Sequence, residues 1–302
     1  MTPEEYIKKL EELKKKSLRA VLQDSPEVEK QALELLRDFI DENLDTKDGK
    51  FVPNERAVKA INSFTDTYLK AVSELKDYKG MVGQYLKNFK DIGTLMEEFQ
   101  KGNGVNVKQA RLGPVQELVV AETINRYSEN GLNPDFVQPL RELMFNNITG
   151  GLNKKEAMAQ LREFISGGRD ESGILGRYIE QTAQQGVDSY TGAINVRIMQ
   201  TFKIDTYVMS GSLIATSSKQ CRFVFKKWGG LINREDWPEL EKIAEDEGLI
   251  EGTDFDNLPI NKLHWGCRHE FTPVVLSEKQ KEKLKANPVN KPGVAPKEKE
   301  KV

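Results

Sequence analysis

Apolar side chains recur at helical spacing through most of the chain, and the residues that interrupt them divide it into elements. Thr2-Pro3-Glu4-Glu5 has the form of a capping box with proline at the first helical position, and Tyr6, Leu10, Leu13, Ser17 and Val21 follow on one face. This predicts an amphipathic helix, with a second starting at Ser25-Pro26 and carrying Val28, Ala32, Leu35, Leu36, Phe39 and Ile40 up to a loop at Thr46–Lys50. A third is predicted from Asn54 through Ile61, Phe64, Tyr68, Val72 and Leu75, with Gly80 as its stop. Between Met81 and Thr149 the pattern stays helical, with breaks predicted at Lys101–Gly104, Gly113-Pro114 and Asn130–Pro134. Asn153 and Glu156 cap a short helix bearing Leu161, Phe164 and Ile165, which Gly167-Gly168 closes. The last long helix is predicted from Asp170 to Phe202, burying Leu175, Ile179, Ala183, Val187, Tyr190, Ile194 and Ile198.

The period then changes. Thr206–Met209 and Glu270–Leu276 are dense in β-branched and aromatic residues bounded by Gly or Pro, which predicts two short strands framing a small module. From Ser277 onward, eight lysines stand against four glutamates, with three prolines and almost no large apolar side chain. Such a segment buries too little surface to offset its ordering entropy beyond a short helical start. The expected class is mainly α, in four stretches: an amphipathic helical N-terminal region over 1–150, a helical connector over 151–203, an α+β module over 204–276 and a disordered basic tail over 277–302. No internal repeat and no sustained heptad alters this picture.

Composition narrows the function classes. The formal charge of -2 comes from 45 basic and 47 acidic residues, which argues against wholesale coating of nucleic acid and leaves local patches such as Lys226-Lys227 for phosphate. Lys14-Lys15-Lys16 reads as the solvated face of the first helix. The N-terminus is charged where a secretory signal needs an apolar core, and no stretch approaches the ~18 apolar residues of a membrane span. The expectation is a cytoplasmic start and no membrane partner. No phosphate-binding glycine loop is present, and Gly150-Gly151, Gly167-Gly168 and Gly229-Gly230 read as helix ends and turns.

The candidate chemistry is concentrated. Cys221 and Cys267 are the only cysteines, His264 and His269 the only histidines, and all four fall within 49 residues. Two thiolates and two imidazoles are the inventory of a tetrahedral zinc site that staples a small module, although one half is a lone cysteine where familiar zinc modules use two close pairs. The same residues are compatible with a Cys221–Cys267 disulfide, with buried cysteines and locally hydrogen-bonded histidines, and with a Cys–His nucleophile and base. His264 and His269 are not the His-Glu-x-x-His pair of helical zinc hydrolases, because their offset is five and Glu270 follows them. Trp228, Trp237 and Trp265 lie in the same stretch and supply apolar surface for a small core.

The run YVMSGSLIATSSKQCRFVFKKWGGLINREDW, followed after a variable stretch by HWGCRHEFTPV, resembles the core of the Mu F-like family of phage minor head proteins. The likeness rests on the turn at Ser210–Leu213, Cys221, Gly229-Gly230, and Cys267-Arg268-His269 before Pro273-Val274. Ser217-Ser218 stands where the family often has Thr-Arg. The motif core covers about a quarter of the chain, and the preceding NKKEAMAQLREFI and GRYIEQTAQQGVDSYTGA segments are similar to the helices upstream of the module in such proteins. The resemblance implies a non-enzymatic head-morphogenesis protein inside the virion that binds the portal or inner capsid and acts in head assembly and DNA packaging or delivery. In that reading Cys221, His264, Cys267, Arg268 and His269 form a structural motif, and the basic tail touches packaged DNA weakly. The alternative is a zinc-stapled nucleic-acid-binding protein.

Overall fold

The computed structural model describes residues 1–168, 171–211, 213, 217–244, 252–264, 267 and 269–286. In chain order it contains α1 (Pro3–Asn43), a hairpin of β1 (Thr46–Lys47) and β2 (Lys50–Phe51), α2 (Glu55–Glu74), α3 (Lys76–Gly102), α4 (Val107–Ala110), α5 (Leu112–Tyr127) and α6 (Glu129–Leu132). A π-helical turn (Asn133–Val137) leads to α7 (Gln138–Thr149), α8 (Lys154–Ser166) and α9 (Ile174–Phe202). Then come β3 (Thr206–Ser210), α10 (Lys219–Trp228), β4 (Leu231–Asn233), a 3-10 turn (Arg234–Asp236), α11 (Trp237–Ala244), α12 (Leu258–Asn261), β5 (Glu270–Pro273) and α13 (Glu278–Ala286). The protein is mainly helical with a small three-stranded sheet toward its C-terminal end, as the periodicity predicts. Among the described residues, no helix is long and apolar enough to cross a membrane.

Several element boundaries differ from the sequence reading; the break expected at Asn130–Pro134 falls at Ser128, and the last strand ends at Pro273. The first two predicted helices are one, because α1 runs through Pro26. A proline there removes one backbone hydrogen bond and costs about 3 kcal/mol. Its ring is exposed, and Ser17, Val21, Ser25, Val28 and Ala32 stay buried in phase on the opposite face. The break expected at Gly80 falls at Leu75, where ψ swings to 130°. Gly113-Pro114 lies in the first turn of α5, and the break before it is made by Arg111 in the left-handed region at φ 49°. The cap predicted at Asn153 is present, its side chain accepting from Lys155 N. Asp170 lies outside the described residues; α9 begins at Ile174 and buries all seven side chains expected of it.

Grouped by contact, the chain forms two compact units, neither of them continuous in sequence. Unit one comprises Met1–Glu12, Asp91–Val119 and Asp188–Val302; unit two comprises Leu13–Lys90 and Val120–Val187. The divisions expected at 150/151 and 203/204 fall inside these units, since α1, α3, α5 and α9 each contribute one segment to both.

Unit two is an aromatic-centred helical core. Phe64 stacks on Tyr68 with ring centroids 4.9 Å apart, and Tyr68 Oη donates to Ala32 O at 2.8 Å. Three further tyrosines tie helices to one another: Tyr78 Oη donates to Tyr127 O, Tyr127 Oη to Ile179 O and Tyr85 Oη to Ala183 O. Each buries a large ring and satisfies its hydroxyl on a helix carbonyl.

Unit one carries the sheet, of order β4-β3-β5 and antiparallel throughout, with Val208 opposite Leu231 on one side and Thr272 on the other. All five residues of β3 are buried. Val274 N donates to Thr206 O, so the alternating residues Phe271 and Pro273 turn their backbone groups away from β3. Pro273 therefore spends its missing N–H on the unpaired edge. The two outward carbonyls are satisfied by buried amides: Asn195 Nδ2 of α9 donates to Phe271 O at 3.1 Å, and Gln100 Nε2 of α3 donates to Pro273 O at 3.0 Å. Edge protection here is a pair of side-chain caps. On α9, a Cβ at Gly192 would stand 2.6 Å from the backbone oxygen of Pro259. Gly192→Ala is expected to cost about 1–3 kcal/mol through overpacking, read as a lowered urea midpoint. An unchanged midpoint would show that α12 shifts freely.

Candidate metal centre

The pairing of Ser210 with Glu270 sets the chain leaving β3 beside the chain entering β5. On the first strand's side, Ser218 caps α10 by accepting from Cys221 N at 3.2 Å, which places Cys221 in the first helical turn, fully buried. On the other side, α12 ends at Lys262 with φ 63°, and Cys267 N donates to His264 O at 3.0 Å, closing a turn ahead of His269 and β5. Local turn chemistry and sheet register together bring 43- and 46-residue separations into contact.

Cys221 Sγ lies 3.9 Å from Cys267 Sγ, Cys267 Sγ lies 3.6 Å from His269 Nδ1, and Cys221 Sγ lies 3.4 Å from His264 Nε2. The ligand atoms of Cys221, Cys267 and His269 are all within 4.8 Å of one another, so these three could hold a metal ion. His264 stands against Cys221 but outside that mutually close trio. Zinc bonds of about 2.3 Å to sulfur and about 2.0 Å to nitrogen imply tetrahedral edges of about 3.8 Å between sulfurs and about 3.6 Å between sulfur and nitrogen. The Cys221–Cys267 and Cys267–His269 separations, 3.9 and 3.6 Å, match those edges. Both cysteines are free thiols, so the disulfide weighed from sequence is not formed here.

Electrostatics favour a ligand-ready sulfur. The hydrogen bond between the two sulfurs holds Cys267 well below the ordinary thiol range, helped by His269, while that same bond and burial push Cys221 up. The two sulfurs therefore titrate as a coupled pair. His269 is 5 % exposed; its ring packs 5.6 Å from that of Phe225, and its Nε2 is buried without a hydrogen-bond partner among the described residues. Ligation through Nδ1 leaves the ring proton on Nε2.

Below the cluster is a support that the sequence reading did not identify. Lys262 Nζ donates to His269 O at 3.0 Å and pairs with Glu270 at 3.5 Å; Glu270 in turn accepts from Thr191 Oγ1 of α9 at 3.2 Å. The two charged side chains are 11 % and 10 % exposed. Lysine and glutamate are so often solvated that only the fold marks this pair.

Of the other sequence candidates, Lys226 is exposed on α10, whereas Lys227 pairs with Glu239 and lies 5.2 Å from the centre of the Phe223 ring. Trp228 and Trp237 are buried in unit one, as expected of small-core residues. Arg268 and Trp265 lie outside the described residues. Gly229, at φ 64°, ends α10 and Gly230 turns into β4, the role read for that pair. Comparison of the chain with protein-family models, with curated proteins and with solved structures finds no match.

Proposed function

We propose that this chain is a minor capsid protein of the Mu F-like head-morphogenesis type, an internal virion component, not an enzyme, that binds the portal or inner capsid and assists head assembly and DNA packaging or delivery. The observation that carries the reading is the convergence of the motif pieces. The YVMS strand, Cys221, the Gly229-Gly230 turn and the Cys267, His269 and Pro273 positions are dispersed over nearly seventy residues, yet they fall on β3, on α10, at the turn into β4, and just before and on β5 of one sheet-centred module. A motif distributed in that way is accounted for by a common fold. Zinc is the metal that two thiolates and imidazoles suit, and in this reading it staples the module without taking part in a reaction.

The test is co-purification. Tagged protein produced with its neighbouring head proteins is expected to be recovered with a portal oligomer and inside assembled heads. Recovery only as a free monomer, with normal heads forming in its absence, would overturn the proposal. The nucleic-acid-binding alternative shares the staple, but Lys227 is already engaged by Glu239 and two aromatic faces, which leaves Lys226 as the more available of the two lysines. Contact with packaged DNA is accordingly a weak, salt-sensitive accessory to protein binding in this proposal.

A further inference from the structure

We propose that His264 is the fourth ligand of a closed zinc centre formed with Cys221, Cys267 and His269, and that it completes the site by swinging from its contact with Cys221 onto the metal. This rests on the reading of the module as metal-stapled and adds the identity and origin of the last ligand. The trio by itself describes a site with three protein ligands and one open position, the arrangement of a catalytic zinc. His264 decides between the open and closed forms.

Its Nε2 is 3.4 Å from Cys221 Sγ, shorter than the sulfur–nitrogen edge of about 3.6 Å in a zinc tetrahedron. A metal bonded to that sulfur therefore lies within reach of the imidazole. The backbone supports the approach: His264 O accepts from Cys267 N at 3.0 Å, which ties the histidine's backbone to that of the second cysteine. Each end of the turn is fixed. Lys262, at the end of α12, holds His269 O through its Nζ, and Glu270 is tied to Thr191. A side-chain rotation with a small adjustment of the turn brings Nε2 toward the trio while β5 stays in register. The donor set becomes two sulfurs and two nitrogens, which selects zinc over the oxygen-seeking magnesium and calcium. His269 binds through Nδ1, the nitrogen that faces Cys267, and His264 through Nε2.

The full-length protein, purified without added metal, is analysed for bound zinc by mass spectrometry, and its affinity is measured by competition with a chromophoric chelator. Cobalt(II) substitution reports ligand number and type through the intensity of its visible bands and its sulfur-to-metal charge transfer. One zinc per chain is expected, with the intense cobalt spectrum of a tetrahedral two-sulfur site. An equal share of the free energy typical of structural zinc makes loss of one ligand worth on the order of 100-fold in affinity. His264→Asn is expected to lose that much and to shift cobalt toward a weaker, higher-coordinate spectrum. His264→Cys is expected to restore affinity and raise the charge-transfer intensity by a third sulfur, a gain that a misfolded variant would not produce. If wild-type protein binds zinc and His264→Asn matches it in affinity and cobalt spectrum, the fourth-ligand assignment is wrong and the three-ligand staple stands. If the wild-type protein binds no zinc, the staple itself is wrong and this inference goes with it.

Discussion

Tyr6→Ala is expected to remove about 3–5 kcal/mol from the stability of unit one, the range for deleting a large buried aromatic ring. Tyr6 sits at the start of α1, more than two hundred residues before β5 in sequence, yet it is 1 % exposed and stacks on Phe99 of α3 with centroids 4.0 Å apart. Ile7 and Leu10 are buried with it. Burial, with the Glu270 carboxylate nearby, pushes the Tyr6 hydroxyl well above its ordinary range. The N-terminal segment therefore belongs to the same compact unit as the sheet. All three tryptophans belong to Asp188–Val302, so their fluorescence during urea denaturation reports on this unit. A midpoint for Tyr6→Ala within error of wild type would show that the N-terminal turns pack there without contributing stability.

The second large effect is expected at the buried ion pair. Lys262→Met leaves Glu270 as an uncompensated carboxylate in a site where both partners are nearly covered, and breaking such a pair costs about 3–5 kcal/mol. Thr191 Oγ1 and the His269 carbonyl do not replace the lost charge. The double variant Lys262→Met with Glu270→Leu removes both desolvation penalties and is expected to recover a large part of the loss. In a double-mutant cycle the two changes should therefore be strongly non-additive. Simple additivity would mean that each side chain acts alone, the lysine as a clamp on His269 and the glutamate as an acceptor for Thr191. Because Lys262 holds the residue next to β5, the single variant is also expected to loosen the cysteine–histidine cluster, visible as faster alkylation of Cys267.

Much of the helical framework is legible in the sequence because its cause is local. The stripe Leu175, Ile179, Ala183, Val187, Tyr190, Ile194 and Ile198 marks the buried face of α9, and Asn153 marks the start of α8. Pro26 misleads because the rule against proline in a helix is also local; it yields here to a buried stripe that stays in phase on the far side while the ring faces water. β4 escapes notice for a different reason. Leu231–Asn233 is too short to show a period, and it exists as a strand because Val208 and Thr206 offer it a partner. At the cluster, the sequence groups the two cysteines with the two histidines, and the structure brings the ligand atoms of Cys221, Cys267 and His269 together, but proximity in the chain ranks His264 equally with His269. Sheet register separates them, since His269 adjoins the first residue of β5 and His264 lies farther up the incoming turn.

Residue types and their spacing were thus sufficient for the mainly helical class, the change of period at Thr206 and the pooling of thiols and imidazoles near the C-terminal end, because each depends on interactions spanning a few residues or on composition alone. Tertiary structure decided which segments share a core. Met1–Glu12, half of α3 and half of α9 join the sheet in one unit because Tyr6, Gln100 and Asn195 meet β5 or its neighbours across long stretches of chain. It also decided that Lys262 and Glu270 are a buried pair and that Cys221 faces Cys267. Burial is a property of packing that the short stretch holding both Lys262 and Glu270 does not reveal, and Cys221 and Cys267 stand 46 residues apart, beyond any local window.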